Sequence, residues 1–288
     1  MAAIYKRELK AYFTGFLGWL FIAFMCVICG IYAMVNCLKN GSPNFEYVLY
    51  SIGFLFIVSI PILTMRCLAD DRKQRTDTLL YSLPLGMTKV VLGKYLAMVT
   101  VFGLAVAIFC LYPPILARYG TVSFGSAYCG ILGYFLLGAS LIAMGVFSSS
   151  LTENQVVAAV LCFAMVLLSY LMSSLAYYLS STAFASLCAF AVLFVLLGIL
   201  IRVLTKSSVF GCGIAAVGIV VCGVLYFFRS ELFEGLFPNI MSSLSVFDRF
   251  KEFVYGNLDL TAVVFDLSVT ALFLFFAVQA MEKRRWSE

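Results

Sequence analysis

Eight stretches of this chain run for about 20 residues each with almost no charge, which is the length a helix needs to cross roughly 30 Å of hydrocarbon. They cover 17–37, 47–65, 95–116, 128–147, 156–178, 183–204, 209–228 and 260–281. Inside hydrocarbon every backbone N–H and C=O must be paired within the segment or in a closed barrel. The runs are too long for barrel strands and do not alternate in polarity, so they are expected to be helices. Composition agrees: 64% of the 288 residues are hydrophobic and 11% charged, where soluble domains run nearer a quarter charged. The least hydrophobic interval, 67–94, is too short to build a core of its own. The expected fold is therefore an all-α integral membrane protein: a polytopic helical bundle of about eight transmembrane helices forming one domain over 1–288.

Lysine and arginine set the expected orientation, because they concentrate in short cytoplasmic loops. With the N-terminus inside, fourteen fall on the cytoplasmic side: Lys6, Arg7, Lys10, Arg66, Arg72, Lys73, Arg75, Lys89, Lys94, Arg202, Lys206, Lys283, Arg284 and Arg285. Five fall outside, namely Lys39, Arg118, Arg229, Arg249 and Lys251. Both termini are expected in the cytoplasm, in a multi-pass cell membrane protein.

Several chemistries are excluded at this level. The chain has no histidine, which removes the commonest metal ligand and general base together. Nearly all of the ten cysteines sit inside apolar runs, where a thiol behaves as a small hydrophobe. No acid pair or nucleophile–base set stands at a membrane face, so no catalytic residue is assigned. No metal or cofactor ligand set is assigned either, and no basic face suits nucleic acid. Gly86 and Gly93 precede Lys94, but neither the glycine spacing nor Tyr95 fits a phosphate-binding loop. Energy from ATP would have to come from another chain.

Four segments outside or across the runs carry information. In 1–16, Tyr5, Leu9, Tyr12, Phe13 and Phe16 recur at helical spacing while Lys6, Arg7, Glu8 and Lys10 fall largely elsewhere, which describes an interfacial amphipathic helix. In 67–90, acidic residues start a short helix that Pro84 and Gly86 end. Its first half is charged (Asp70, Asp71, Arg72, Arg75, with Thr76 beyond). Its second half offers Leu79, Leu80 and Leu83, and exposed leucines on a cytoplasmic helix call for a partner protein. In 230–259, Val246, Phe247, Phe250, Phe253 and Val254 repeat at helical spacing, as an outer interfacial helix would. Finally, Asp266 is an ionisable side chain well inside a run. A carboxylate there costs roughly 2.5–3.5 kcal/mol at mid-membrane, so it should face protein or a wet transport path.

Asp71, Arg72 and Lys73 with Thr76, Leu79, Leu80, Ser82, Leu83, Pro84 and Leu85, followed by Val91 through Ala97, resemble the cytoplasmic helix and next span of type-2 ABC transporter permeases. Ser149, Ser150, Leu151, Thr152, Glu153, Asn154 and Gln155 are similar to the matching second cytoplasmic loop of the gliding-motility and copper-enzyme-maturation branch. So are Phe247 to Phe250, Gly256 to Leu260, Leu272, Phe273 and Arg284 to Trp286. The resemblance implies a permease subunit that binds no cofactor itself. It would pair with a second permease, identical or related, and with two cytoplasmic ATPases that hold ATP and magnesium. The segment around 67–90 would be the coupling helix seated on the ATPase, through Asp70, Asp71, Arg72, Arg75, Thr76, Leu79, Leu80 and Leu83. Arg75 and Thr78 stand where members commonly carry glycine and glutamate, and 183–228 looks like an inserted pair of spans. The implied cargo is hydrophobic, amphipathic or peptide-like and exported; the competing reading of the residues is an ATPase-independent carrier or channel.

Overall fold

The structure is a computed structural model that describes residues 1–39, 41, 44–73, 86–178, 182, 183, 186, 187, 190, 191 and 235–285. Among them there is no strand, and six helices are long and apolar enough to cross a membrane. A short helix α1 (Ala2–Thr14) precedes five of these: α2 (Phe16–Lys39), α3 (Phe45–Lys73), α4 (Met87–Leu116), α5 (Phe124–Leu151) and α6 (Gln155–Tyr178). Two shorter helices, α7 (Leu236–Leu244) and α8 (Val246–Val254), come before the last long one, α9 (Leu260–Arg285). Expected spans 183–204 and 209–228 lie outside the described residues but for a few positions, so eight spans remain an expectation there. The chain divides into two units, Met1–Tyr170 with Val246–Glu288, and Leu171–Ser245. The contacts and sites described below belong to the first.

The breaks between helices have local causes. Gly15 is extended (φ −79°, ψ 156°) and stops α1, so the amphipathic helix is separate from the first span. Asn154 caps α6, its Oδ1 accepting the Val156 N–H at 2.9 Å, and Thr152 Oγ1 accepts the Asn154 N–H at 3.2 Å. Asp259 caps α9 in the same way, accepting the Thr261 N–H at 2.9 Å. That bond holds the Asp259 carboxyl below its ordinary value.

α5 is the centre of the bundle: 78% of its apolar window is buried, against 33% for α2 and 22% for α6 and for α9. Glycine makes this closeness possible. A Cβ at Gly138 would fall on the Phe102 ring of α4, and one at Gly145 on Thr64 of α3. Around Tyr134 of α5 gather Phe56 (ring centroids 4.6 Å apart), Phe102 (6.1 Å), Phe109 (6.0 Å) and Phe250 (6.0 Å). α2, α6 and α9 turn large apolar side chains outward, among them Val27, Ile31, Val160 and Phe275. Such faces suit lipid or another membrane subunit.

One expectation changes here. The face of α8 that repeats at helical spacing does not look outward: Phe250 and Phe253 are 2% and 0% exposed, buried against the bundle. Helical spacing reveals that an apolar face exists, not whether lipid or protein covers it. Ala69–Lys73 is a short helix set off from the rest of α3 by a turn over 65–68, and the remainder of the helix expected from Asp70, 74–85, lies outside the described residues.

Candidate functional site

The residues that precede and follow segment 74–85 meet at one end of the bundle. Lys94, nearly two turns into α4, is 2% exposed. A buried ammonium needs acceptors for three protons, and it has them. Its Nζ lies 2.8 Å from Asp71 Oδ2 at the end of α3, 3.0 Å from Glu8 Oε1 of α1, and donates to the Cys67 carbonyl at 2.8 Å. Arg7 adds a second cation to Glu8 at 2.7 Å. Burial pushes the Glu8 carboxyl up, but Lys94 and Arg7 together outweigh it and hold the group below the usual glutamate value. The amphipathic helix and both flanks of 74–85 are thus joined through a single ammonium.

A second set of bonds ties the end of α3 to the rest of the bundle. Ser149 Oγ of α5 accepts the Leu68 and Ala69 N–H groups at 2.9 and 3.1 Å. Gln155 Nε2, at the start of α6, donates to Asp70 Oδ1. Arg72 is 5% exposed, and its guanidinium reaches Met281 Sδ of α9 at 3.0 Å. The end of α3 is therefore bonded to α4, α5, α6 and α9 at once, and reaches α1 through Lys94.

Of the residues expected at an ATPase contact, Asp70, Asp71 and Arg72 make these internal bonds. Arg75, Thr76, Leu79, Leu80 and Leu83 lie outside the described residues. In the second loop, Thr152 and Asn154 shape the turn and Gln155 joins it to Asp70, while Glu153 is exposed. Lys94 and Glu8 were not among the expected site residues. The available signal was a lysine nearly two turns inside an apolar helix, which demands a carboxylate partner.

Asp266 lies near the opposite end. It is 2% exposed, and its Oδ1 has no hydrogen-bond partner among the described residues. The guanidinium of Arg249 on α8, 5.6 Å from the centre of the neighbouring Phe265 ring, supplies the positive field that reaches it. Sequence reasoning missed a second acid, Glu46, in the first turn of α3. It is 5% exposed with Oε2 unpaired among the described residues, because α3 begins before the expected span does. Among the described residues no group of three or more metal-ligating side chains occurs.

No curated protein matches the chain. The family described as ABC-2 family transporter protein matches residues 33–183, just over half of the 288. That stretch holds α3, α4 and α5, and with them Asp71 and Lys94 of the junction, while Arg7 and Glu8 of α1 lie before it. The chain belongs to the ABC-2 family of transporter proteins, as a membrane permease subunit of the kind that typically has no ATPase of its own.

Proposed function

We propose that this permease exports a hydrophobic, amphipathic or peptide-like cargo, driven by separate ABC ATPases that seat on segment 74–85. The observation that carries this reading is the junction at Lys94. A segment pushed by an ATPase transmits work only if its flanks are anchored, and both flanks share one buried ammonium. Leu79, Leu80 and Leu83 supply an apolar surface for the ATPase groove, with Arg75 and Thr76 at its charged rim. ATP and magnesium belong to the ATPases, expected in two copies, and a second permease completes the path. The branch is that of gliding-motility and copper-enzyme-maturation permeases, in a bacterial plasma membrane with both termini cytoplasmic. Asp266, buried beside a cation, is our candidate for a polar point on the cargo path.

Replacing Leu79 and Leu80 together by aspartate should leave the bundle inserted but release the ATPase on purification from its native membrane. Full retention of a coupled ATPase would overturn the docking assignment. The same preparation separates a second reading, an ATPase-independent carrier, which the unpaired carboxylate oxygens of Asp266 and Glu46 favour. A carrier would transport without any co-purifying ATPase.

A further inference from the structure

Between α1, the start of α2 and the end of α3 lies a cavity of about 580 Å³. Its walls are of two kinds. Phe16, Leu17 and Leu20 give an apolar side, and Phe16 and Leu20 are 76% and 48% exposed, so this side opens toward whatever surrounds the bundle. The other side is charged and contains the Lys94 junction together with Arg66 and Asp70. Close by at the start of α2, Trp19 donates its indole N–H to the Phe13 carbonyl at 3.1 Å and meets the Phe13 ring edge-on, and tryptophan is enriched at membrane–water interfaces.

Most charges in this wall are already matched. Lys94 has three acceptors, Glu8 has Lys94 and Arg7, and Asp71 has Lys94. Two are not. Arg66 makes no ion pair or hydrogen bond among the described residues. Asp70 accepts from Gln155 at Oδ1 only, which leaves its second oxygen free among the described residues. The unmatched charges are thus one cation and one carboxylate oxygen, four residues apart in sequence and both in the wall of the cavity. A free anion would leave Asp70 unmatched, and a simple amine would leave Arg66 unmatched.

We propose that this cavity binds a bilayer glycerophospholipid whose headgroup carries a primary ammonium. The phosphodiester pairs with the Arg66 guanidinium, which offers the fork geometry phosphate prefers. The ammonium, two carbons away along the headgroup, donates to Asp70. The glycerol and upper acyl chains lie on Phe16, Leu17 and Leu20. A quaternary ammonium has no proton to donate, so a phosphocholine headgroup keeps the phosphate contact and loses the Asp70 hydrogen bond. The bound lipid would fill the angle between the amphipathic helix and the root of segment 74–85.

The test uses the full chain, delipidated in detergent and offered equal amounts of phosphatidylethanolamine, phosphatidylcholine and phosphatidylglycerol with identical acyl chains. Native mass spectrometry reads which lipid stays bound. Wild type should retain the ethanolamine lipid over the choline lipid by roughly tenfold, the effect of one good hydrogen bond to a charged group. Arg66→Gln should lower retention of all three lipids, and Asp70→Asn should abolish only the preference for ethanolamine over choline. If Arg66→Gln does not give a monodisperse protein, Arg66→Lys replaces it; it keeps the charge but loses the guanidinium fork, so it should weaken retention of all three lipids while keeping the ethanolamine preference. Equal retention of ethanolamine and choline lipids by wild type overturns the proposal, as does a preference for phosphatidylglycerol. Wild-type selectivity in Asp70→Asn also overturns it.

Discussion

Lys94 shows how much a single side chain holds in this fold. Its side chain is 3% exposed, whereas Glu8 and Asp71 retain 16% and 21%. Removing the cation takes away the ammonium that Glu8 and Asp71 share, while Arg7 stays on Glu8. Breaking a buried pair from one side costs about 3–5 kcal/mol, and the partial wetting of both acids puts this case at the low end. Lys94→Met should therefore lower the melting temperature of the detergent-solubilised protein clearly, while Glu8→Gln lowers it less. Because the two share one contact, the double variant should fall short of the sum by an interaction energy on the order of 0.5–3 kcal/mol. Strict additivity would show that the contact carries no coupling. The pH dependence has a definite sign. Glu8 titrates below its ordinary 4.5, so its contribution is complete above that value and is lost as pH falls through the lower folded value. Cross-linking or spin-label distances between α1 and α4 should loosen only on the acid side of 4.5, and not in Glu8→Gln.

At the scale of elements, the long helices were legible because crossing hydrocarbon is a demand on composition and length alone. Expected span 128–147 and the observed Phe124–Leu151 differ only at their ends, where backbone bonding continues past the apolar run. What each helix touches was not legible. The apolar face of α8 repeats at helical spacing whether lipid or protein covers it, and the chain's 64% hydrophobic content offers no contrast to tell them apart. The Lys94 junction joins positions 8, 71 and 94, and nothing in local sequence announces a contact across such separations. Asp266 was legible for the opposite reason, since a carboxylate stands out against an apolar run. The packing of α5 makes an element-level prediction. Gly138 lies against the Phe102 ring of α4, and a side chain there has no room. Gly138→Leu should cost about 1–3 kcal/mol or more through overpacking, read as lower thermal stability. Gly125, which faces open space on the same helix, should accept alanine with little change. Equal effects at the two positions would contradict the central placement of α5.

The whole molecule must satisfy a parity condition that its charges make testable. Consecutive described spans are joined by the short stretches 40–44, 117–123 and 152–154, and each join at a membrane face reverses direction. With the N-terminus cytoplasmic, 74–86 is inside and 40–44 is outside. The last span must then begin outside if Lys283 and its neighbours are to lie inside, as the distribution of basic residues requires. Between Met172 and Leu260 the chain must therefore cross an even number of times, none or two. The apolar runs 183–204 and 209–228, with Arg202 and Lys206 close to their junction, argue for two. This leaves every other loop on the same side, so one labelling experiment tests both orientation and span number. Single cysteines at Ser42, Ser243, Thr76 and Ser207 go into a background without the ten native ones. An impermeant thiol reagent added to intact cells should label Ser42→Cys and Ser243→Cys, and should spare Thr76→Cys and Ser207→Cys until the membrane is opened. Labelling of Ser207→Cys alone among the protected pair would reduce the chain to six spans with orientation intact. Labelling of Thr76→Cys would place segment 74–85 outside, away from any cytoplasmic ATPase, and would remove the basis for the energy coupling proposed above.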